Sequence, residues 1–389
     1  LAERHRAVAR ALGDGDLVAR LDAHLRELRV LLRGVRLLGT ATPRSSDQVL
    51  GFGELLAQEL LAVALANAGG AARVVDSREV VITDDNFGEA RCDLDATRER
   101  CAAQVAPLVA AGVVPVLGGY LGGTRDGIPT TLGRGGSDLS ASLLGLAMNA
   151  AAVEIWTDVD GLMTADPRLV PGARVLDRIT FREAAELAGF GAKVLHPASI
   201  DPAIQGGLPV LVRNSLDPSR PGTLIGTAAA AGPPVRAIAA RGGLCLVALR
   251  APGRLRDPAF LPQVLGRFAA RGLETVAVMP GPVWVELVVP AGERQAEVCE
   301  GLRELGAVET TTGLALVAAV GEGLARERAL WARILAIAAG ADVRRVTQGP
   351  LGSSIALLAD EASAAGLVRA LHDALLAPAA AGQAQGGRA

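Results

Sequence analysis

From Ala72 to Val212, short apolar, β-branched runs alternate with segments of helical periodicity. Val113–Gly118 and Ala152–Trp156 are predicted to be buried strands, and Gly136–Met148 is predicted to be the helix between them. A parallel pair of strands needs a crossover of about a dozen or more residues, which a helix in this position supplies. The alternation therefore predicts an α/β fold in which a mostly parallel sheet lies between two helical layers, a three-layer αβα domain.

The first 70 residues lack this alternation and are predicted to be helical. Five leucines recur at steps of three or four residues, which is the spacing of one apolar helix face: Leu17, Leu21, Leu25, Leu28 and Leu32. A second helix follows Gly51–Glu54 and is expected to end at Gly69-Gly70, because a glycine just beyond the last turn closes many helices. The sequence thus predicts a helical region ahead of the sheet.

Gly226–Pro234, with the sequence GTAAAAGPP, is the best candidate for a domain boundary because it is a low-complexity run of Ala, Gly and Pro. It separates a predicted domain of residues 1–225 from residues 235–377. In the second part, a strand-helix-strand-strand-helix-strand order occurs about twice, which predicts two ferredoxin-like βαββαβ units. Residues 378–389 have almost nothing to bury and are predicted to be a disordered tail.

Composition excludes several classes of protein. A net charge of −2 without any Lys/Arg-dense run offers no basic field for nucleic acid. The four cysteines are scattered without CxxC spacing, which indicates reduced thiols rather than a metal site or disulfides. The most apolar candidate for a membrane helix, Leu55–Ala72, is interrupted by Gln58, Glu59 and Asn67, and no signal-peptide pattern is present. We therefore expect a cytoplasmic protein that binds neither membrane nor nucleic acid.

The segment Thr130–Asp138, TTLGRGGSD, comes directly before a predicted helix. Glycines on both sides of Arg134 would let the backbone approach an anion, and the helix N-terminus presents free N–H groups to it. The alternative is that Asp138 only caps the helix and Arg134 is a solvated surface charge. Nine residues in a specific order favour the anion-binding interpretation.

The segment Trp156–Arg168, WTDVDGLMTADPR, follows a predicted strand. Asp-Gly and Asp-Pro are common turn sequences, so a plain turn is the alternative interpretation. The loop at the carboxyl end of a parallel strand is, however, the place where α/β sheets hold nucleotides. This segment is therefore a candidate nucleotide loop.

The segment Phe190–Pro197, FGAKVLHP, contains Lys193, the one lysine of the chain, whereas arginine occupies every other Lys/Arg position. A lysine kept in such a chain suggests a contact that needs a compact ammonium group, and phosphate is the natural candidate. Chance survival of this lysine is the alternative.

These three segments, in this order, closely resemble the signature of the aspartate kinases of the amino-acid kinase family. The resemblance extends through Gly51–Leu56 (GFGELL) and Ile82–Gly88 (ITDDNFG), and the two ferredoxin-like units are similar to ACT domains. It implies an amino-acid kinase domain followed by tandem ACT regulatory domains. It also implies ATP-dependent phosphorylation of L-aspartate to 4-phospho-L-aspartate, on the route to lysine, threonine and methionine. A homodimer or larger oligomer and an amino-acid effector at the ACT domains are further expectations.

The resemblance also assigns roles to individual residues. Glu54 would pair with the α-ammonium group of L-aspartate, Arg134 would hold its α-carboxylate, and Ser137 would line the pocket. Asp138 and Lys193 would be the catalytic residues. The nucleotide-binding residues that it implies are Thr157, Asp158, Met163, Arg168, Lys193 and Val194.

The implied reaction needs little acid–base chemistry, because the β-carboxylate of aspartate is already ionised at neutral pH. The protein has to hold two anions in line and to offset the charge on the transferring phosphoryl group with cations and Mg²⁺. ATP and Mg²⁺ are therefore the expected cofactors, and no metal-ligand set within the chain itself is predicted.

Departures from the family pattern include two that bear on function. Family members open with a strand and a Lys-Phe-Gly-Gly-Thr-Ser loop, whereas residues 1–50 resemble the helical region after it, so we expect an N-terminally truncated chain with little activity. Met279–Pro282 (MPGP) replaces a motif with hydroxyl and carboxylate groups found in lysine-sensitive relatives. Two alternatives stay open: a kinase for another small acid or carbamate, and a catalytically inactive amino-acid-sensing partner of the same family.

Overall fold

The computed structural model describes residues 1–191, 199–228, 233–324, 327–349 and 352–376. Contacts within the chain group them into two compact units. The first unit comprises the described residues of Leu1–Asp158, Leu195–Arg220 and Leu224–Thr227, and the second comprises those of Val159–Val194, Pro221–Thr223 and Ala228–Ala389. The domain limits given above, 1–225 and 235–377, stay a prediction, and the predicted tail lies outside the described residues.

Helices and strands both occur along the described chain, and the predicted α/β class is confirmed. The helices are α1 (Ala2–Leu12), α2 (Leu17–Leu38), α3 (Pro43–Leu50), α4 (Phe52–Asn67), α5 (Ser77–Val80), α6 (Leu94–Arg100), α7 (Ala106–Ala110), α8 (Gly136–Ala147), α9 (Phe181–Gly189), α10 (Asp201–Gly206), α11 (Phe260–Ala269), α12 (Glu293–Leu302), α13 (Arg328–Ala338) and α14 (Glu361–Leu376). The strands are β1 (Ala72–Val74), β2 (Ile82–Thr83), β3 (Val114–Val116), β4 (Leu121–Thr124), β5 (Pro129–Thr131), β6 (Val153–Thr157), β7 (Arg178–Thr180), β8 (Val210–Asn214), β9 (Thr223–Gly226), β10 (Ala237–Arg250), β11 (Ala277–Pro280), β12 (Trp284–Pro290), β13 (Ala307–Val320), β14 (Val343–Gln348) and β15 (Ser354–Asp360).

The N-terminal helices of the first unit confirm most of the predicted apolar face. Four of the five leucines on α2 are buried: Leu17, Leu21, Leu25 and Leu28. Three of these pack with Leu56 and Val63 of α4 in one core cluster. Leu32, the fifth, is 47 % exposed, so the buried face ends before the last turns of α2.

Helices α3 and α4 follow each other with only Gly51 between them. Among the described residues, this stretch, Pro43–Asn67, is the one that is long and apolar enough to cross a membrane, by length and composition alone. It begins 12 residues before Leu55–Ala72, the candidate membrane helix considered from the sequence. Leu55 and Leu56 are buried in clusters of the first unit, and core helices of this kind pass the same test.

Strand pairing in the first unit is mostly parallel, as predicted. β1 pairs with β3, β2 with β4 and β6 with β8, each pair being parallel. The antiparallel hairpin of β4 and β5 was not predicted. A Cβ atom at Gly122 of β4 would lie only 2.7 Å from Cγ2 of Thr83, so this position requires glycine. Because glycine is uncommon in strands, the sequence of β4 does not indicate a strand.

The second unit contains a six-stranded antiparallel sheet with the strand order β11-β12-β10-β13-β15-β14. Strands β10 and β13 have 14 residues each, and both of the predicted ferredoxin-like units use them. The last half of β10 and the first half of β13 belong to the ferredoxin-like unit that contains β11 and β12. The first half of β10 and the last half of β13 belong to the ferredoxin-like unit that contains β14 and β15. The two ferredoxin-like units are therefore interleaved rather than consecutive along the chain. The outermost strand of the unit that contains β14 and β15 is the first half of β10, which precedes all the other strands of the sheet.

The loop between β6 and β7 belongs to the core of the second unit. Ala165 and Val170 of this loop lie in one apolar cluster with Ile238 of β10 and with Leu367 and Leu371 of α14. Helices α11 and α12 pack on a separate cluster beneath β12. The predicted nucleotide loop is thus held partly by residues of the predicted regulatory region.

Candidate active site

A glycine turn after β3 brings two of the predicted substrate residues together. A Cβ atom at Gly118 would lie 3.1 Å from Cβ of Glu54, which is in the first turn of α4. A Cβ atom at the next residue, Gly119, would lie 3.0 Å from Cα of Ser137, at the start of α8. Glu54 and Ser137 therefore flank adjacent residues of one turn, and side chains on that turn would fill the space between them.

Sequence reasoning missed the residues that hold this turn. The Gly118 N–H donates to Oε1 of Gln58 (2.9 Å), and the Gly118 carbonyl accepts from the Ser77 hydroxyl (2.6 Å). Tyr120, which follows with a φ of 69°, donates its N–H to Oγ of Ser140 on α8 (2.9 Å). Gln58 had been noted only as an interruption of an apolar run, and no local pattern links it to a residue 60 positions away.

The TTLGRGGSD segment runs from β5 into α8 through two left-handed glycines. Gly133 has a φ of 76° and Gly135 a φ of 71°, a region that residues with a side chain rarely adopt. Arg134 lies between them, exposed, and pairs with no carboxylate among the described residues. The segment therefore presents a guanidinium group next to the N-terminus of a helix, an arrangement suited to an anion.

Two predicted acids of the first unit lack a counter-charge. Burial raises the pKa of the Glu54 carboxyl and that of the Asp138 carboxyl above their usual values. In the described part of the chain neither carboxyl lies within ion-pair distance of Arg, Lys or His. A cation placed beside either would offset this cost, so both positions suit a positively charged partner.

The carboxyl ends of β6 and β8 place Thr157 and Asp158 at one edge of the first unit. Thr157 lies opposite Asn214 in the parallel register. Its carbonyl accepts from both the N–H (2.7 Å) and the hydroxyl (2.9 Å) of Ser215, and its own hydroxyl donates to Oδ1 of Asp158 (3.2 Å). The predicted nucleotide residues of this unit thus lie where parallel sheets hold ligands.

Met163 and Arg168 belong to the second unit. Met163 forms an isolated antiparallel bridge with Val175. The exposed Arg168 donates from Nε to Oδ1 of Asp166 (3.0 Å), and the same carboxylate caps the Arg168 N–H (2.9 Å). The guanidinium predicted to contact ATP therefore already has a partner two residues away.

Lys193 and Val194 lie outside the described residues, but the helix before them is well defined. Helix α9 starts with a capping box in which Thr180 and Glu183 bond each other's backbone N–H. Glu186 accepts from the hydroxyls of Ser353 (3.0 Å) and Ser354 (2.7 Å) in the second ferredoxin-like unit. The helix that leads to Lys193 is thus tied to the predicted regulatory sheet.

A cavity of 530 Å³ in the first unit is not at the predicted site. Its lining residues are Thr83, Asp84, Asp85, Arg91, Cys92, Asp93, Thr124, Arg125, Asp126 and Ile128. None of them is a predicted substrate or nucleotide residue. The cavity is an open surface depression, and among the described residues its lining includes no buried polar atom without a partner, so it offers less for a ligand than the turn where Glu54 and Ser137 meet.

Comparison with known proteins gives concordant results. Residues 6–214 match the profile of the Amino acid kinase family. Lysine-sensitive aspartokinase 3 of Escherichia coli (strain K12) is 34 % identical over 365 residues, which is 90 % of this chain and 80 % of that protein. Aspartokinase 2, chloroplastic, of Arabidopsis thaliana is 32 % identical over 391 residues, or 96 % of this chain and 71 % of that protein.

Two solved structures of the Escherichia coli enzyme are similar to the whole fold. Aspartokinase III in complex with aspartate and ADP, in the R-state, superposes with a TM-score of 0.81 at 33 % identity and covers 93 % of this chain and 82 % of that one. The same enzyme in complex with lysine and aspartate, in the T-state, gives a TM-score of 0.78 at 34 % identity, with 92 % and 81 % covered.

Proposed function

The chain belongs to the amino acid kinase family and, within it, to the aspartokinases, and from this premise we propose that it transfers the γ-phosphoryl group of ATP to the β-carboxylate of L-aspartate. The product would be 4-phospho-L-aspartate, an intermediate of amino-acid biosynthesis. One observation carries the assignment to this chain's own residues. Glu54 and Ser137 meet at the Gly118-Gly119 turn, and the glycine-flanked Arg134 lies three residues before Ser137.

The proposed substrate contacts follow from charge and geometry. Glu54, half-buried without a cation, suits the α-ammonium group of aspartate. Arg134 suits the α-carboxylate, because its planar fork can donate two parallel hydrogen bonds. Ser137 would add a neutral donor beside them. The β-carboxylate is left to face the nucleotide, where its ionised oxygen is the nucleophile.

Nucleotide binding is proposed at Thr157, Asp158, Met163 and Arg168, with Lys193 and Val194 as further candidates. The ADP complex of the Escherichia coli relative supports the use of ATP by this chain. The described residues contain no group of three His, Cys, Asp or Glu side chains that could hold a metal ion. Mg²⁺ would therefore be held mainly by the nucleotide's own phosphates, with Asp158 as the carboxylate available at the strand edge. When bound, it would neutralise the charge of the transferring group.

The catalytic contribution of the chain itself is charge placement. Asp138, half-buried in the first turn of α8, suits a position beside a lysine ammonium group. Such a pair would keep the ammonium charged and directed at the phosphoryl oxygens. No general base is needed.

The experiment that tests the function uses the full-length protein with ATP, Mg²⁺ and L-aspartate, and traps the acyl phosphate with hydroxylamine. Hydroxamate formation, even at a low rate, should depend on both substrates and be lost with D-aspartate. L-Glutamate, N-acetyl-L-glutamate and carbamate serve as competing acceptors. Faster turnover of any of these than of L-aspartate would overturn the proposal.

We also propose that residues 235–377 bind an amino-acid effector and join copies of the chain into a homodimer or larger oligomer in the cytoplasm. The support is the pair of interleaved ferredoxin-like units and the lysine complex of the Escherichia coli relative. Sedimentation with and without each candidate amino acid would test it, and a monomer under all conditions would contradict it.

Lysine itself is not expected to bind at the first ferredoxin-like unit. The Gly281 N–H donates to the Trp284 carbonyl (2.8 Å), and a Cβ atom at Gly281 would lie 3.1 Å from the Trp284 indole. Met279–Pro282 carries no side-chain hydroxyl or carboxylate, so the turn offers no side-chain acceptor to an ammonium group. Calorimetry of the full chain with lysine, threonine and methionine tests this, and micromolar lysine binding would contradict it.

A further inference from the structure

Asp47 is a buried acid on α3 that lies outside all of the motifs recognised in the sequence. It is 2 % exposed, and its carboxylate accepts three hydrogen bonds. Oδ2 accepts from the N–H of Gly88 (2.9 Å) and from the N–H of Thr131 (2.9 Å), while Oδ1 accepts from the Thr131 hydroxyl (2.8 Å). One side chain thus connects a helix to two segments that are distant in sequence.

Thr131 is the last residue of β5 and lies three positions before Arg134. Its carbonyl accepts from the Ala90 N–H (3.0 Å), so the residue is held from both sides. The next residue, Leu132, donates its N–H to the Tyr120 carbonyl (2.9 Å). The backbone that leads into the left-handed Gly133 is therefore fixed by three separate segments before it reaches Arg134.

Asp47 is the only acid among these contacts in the described chain, and its partners there are neutral. A buried carboxylate is costly unless hydrogen bonds satisfy it, and here they do. Replacement by an apolar side chain would leave two N–H groups and a hydroxyl in the interior without that acceptor. The bonds end on the Arg134 segment and on the loop beside it, so their loss would be felt there first.

We infer that Asp47 is a positioning residue for the substrate: through Thr131 it sets the place of Arg134, and thereby the affinity for the α-carboxylate of the acceptor. The inference rests on the proposed function for the identity of that acceptor. The coupling between Asp47 and the Arg134 segment is independent of the proposed function and can be measured without any substrate.

Hydrogen exchange followed by mass spectrometry measures that coupling in the full chain. In Asp47→Ala, peptides covering residues 86–91 and 129–135 should exchange about tenfold faster, because two amides lose their acceptor. Asp47→Asn should stay close to the parent. Its amide oxygen can accept both N–H groups while its NH₂ donates to the Thr131 hydroxyl. Unchanged exchange of both peptides in Asp47→Ala would overturn the inference.

Substrate affinity measures the consequence. In Asp47→Ala the KM for L-aspartate, or its Kd by calorimetry, should rise about tenfold, which corresponds to about 1.4 kcal/mol. The KM for ATP should change less than about twofold, and Asp47→Asn should restore aspartate affinity to within about threefold of the parent. Thr131→Val, which removes a single bond, should show a smaller rise and serves where Asp47→Ala does not fold.

Thr97→Val is the matched control. Thr97 is also completely buried in the first unit, and its hydroxyl accepts from the Ile82 N–H (3.0 Å) without a hydrogen bond to residues 129–135 in the described chain. It should lower stability without changing aspartate affinity. An equal rise in KM for aspartate and ATP, or the same rise in Thr97→Val, would assign the effect to general loosening and overturn the inference. If the variants give the expected exchange pattern but the parent neither binds nor uses aspartate, the proposed function is contradicted. The positioning of the segment by Asp47 then stays supported.

Discussion

The two regions that carry the proposed site use their charged groups in opposite ways. In the first unit, Glu54, Arg134 and Asp138 have no ion-pair partner among the described residues, although two of them are half-buried. In the second unit, Arg168 is already paired with Asp166. A group without a partner gains most when a charged ligand arrives, whereas a group with a partner has to give one up. We therefore expect substrate discrimination to depend mainly on the first unit.

The predicted nucleotide loop also differs from the Arg134 segment because it is hydrogen-bonded to buried residues of the second unit. The Thr164 hydroxyl is within hydrogen-bond distance of Nε2 of His372 (3.0 Å) on α14, and it accepts from the Arg174 N–H (2.9 Å). Burial lowers the pKa of His372, so its ring is held neutral at physiological pH. This loop is thus built as part of the core, and changes in it should act on stability before they act on substrate choice.

The largest effect that separates the two regions is expected for Arg134→Lys. A lysine keeps the charge but cannot reproduce a two-bond fork to a carboxylate. A hydrogen bond to a charged group is worth about 1.5–3 kcal/mol, so kcat/KM for L-aspartate should fall by roughly 10- to 150-fold. The KM for ATP should be nearly unchanged.

Arg125→Lys is the control for that substitution. Arg125 is also exposed in the first unit, but it already pairs with Asp93 (2.6 Å) and is not one of the predicted site residues. Steady-state kinetics should show no defect in this variant. Unaltered aspartate kinetics in Arg134→Lys would remove Arg134 from the substrate site.

Thr164→Val should reverse the pattern. The change leaves the Arg174 N–H and the buried His372 ring without a partner at this position, which costs about 1–3 kcal/mol of unfolding free energy. Denaturant unfolding monitored in the full chain should show this loss, while the KM for aspartate stays the same. Thr310→Val, at an exposed position on β13, is the matched control and should be close to neutral. A defect confined to aspartate affinity, with full stability, would show that the two regions are not distinct in this way.

Sequence reasoning predicted the parts of the fold that have a local signal. The leucine spacing on α2 and the strand-helix alternation are such signals, and the corresponding elements are present. The β4–β5 hairpin was missed because Gly122 and Gly123 give β4 no alternating apolar pattern. The interleaving of β10 and β13 was missed because pairing between Ala237 and Val320 is decided by packing across the whole sheet.

The candidate site divides in the same way. The proposed roles of Glu54 and Arg134 came from resemblance to a family, since composition and spacing alone suggest only an anion-binding loop. Asp47 could not be found from sequence, because its partner Thr131 is 84 positions away. A lone Asp in a short helix carries no signal of its own. What remained unpredicted is therefore the set of long-range hydrogen bonds that hold the motifs in place.

The smallest predicted effect concerns the stability cost of an acid without a counter-charge. Because burial raises the pKa of Glu54 in the folded state, the native protein binds more protons than the unfolded chain near that pKa, and stability falls as pH rises through it. Glu54→Gln removes a carboxylate whose ionised form, dominant above the raised pKa, carries the cost of burial. In the ligand-free protein the variant should therefore melt slightly higher than the parent at pH 8, and the gain should shrink towards pH 4.

The same variant tests whether that cost serves binding. L-Aspartate should raise the melting temperature of the parent, because a ligand that binds only the folded state stabilises it by mass action. It should do so much less in Glu54→Gln, where the amide cannot pair with the α-ammonium group. Glu99→Gln, an exposed acid on α6, should respond to aspartate like the parent. Equal aspartate-induced shifts in parent and Glu54→Gln would mean that the half-buried carboxylate is not the ammonium partner. The contrast between unpaired charges in the first unit and paired charges in the second would then have no link to substrate binding.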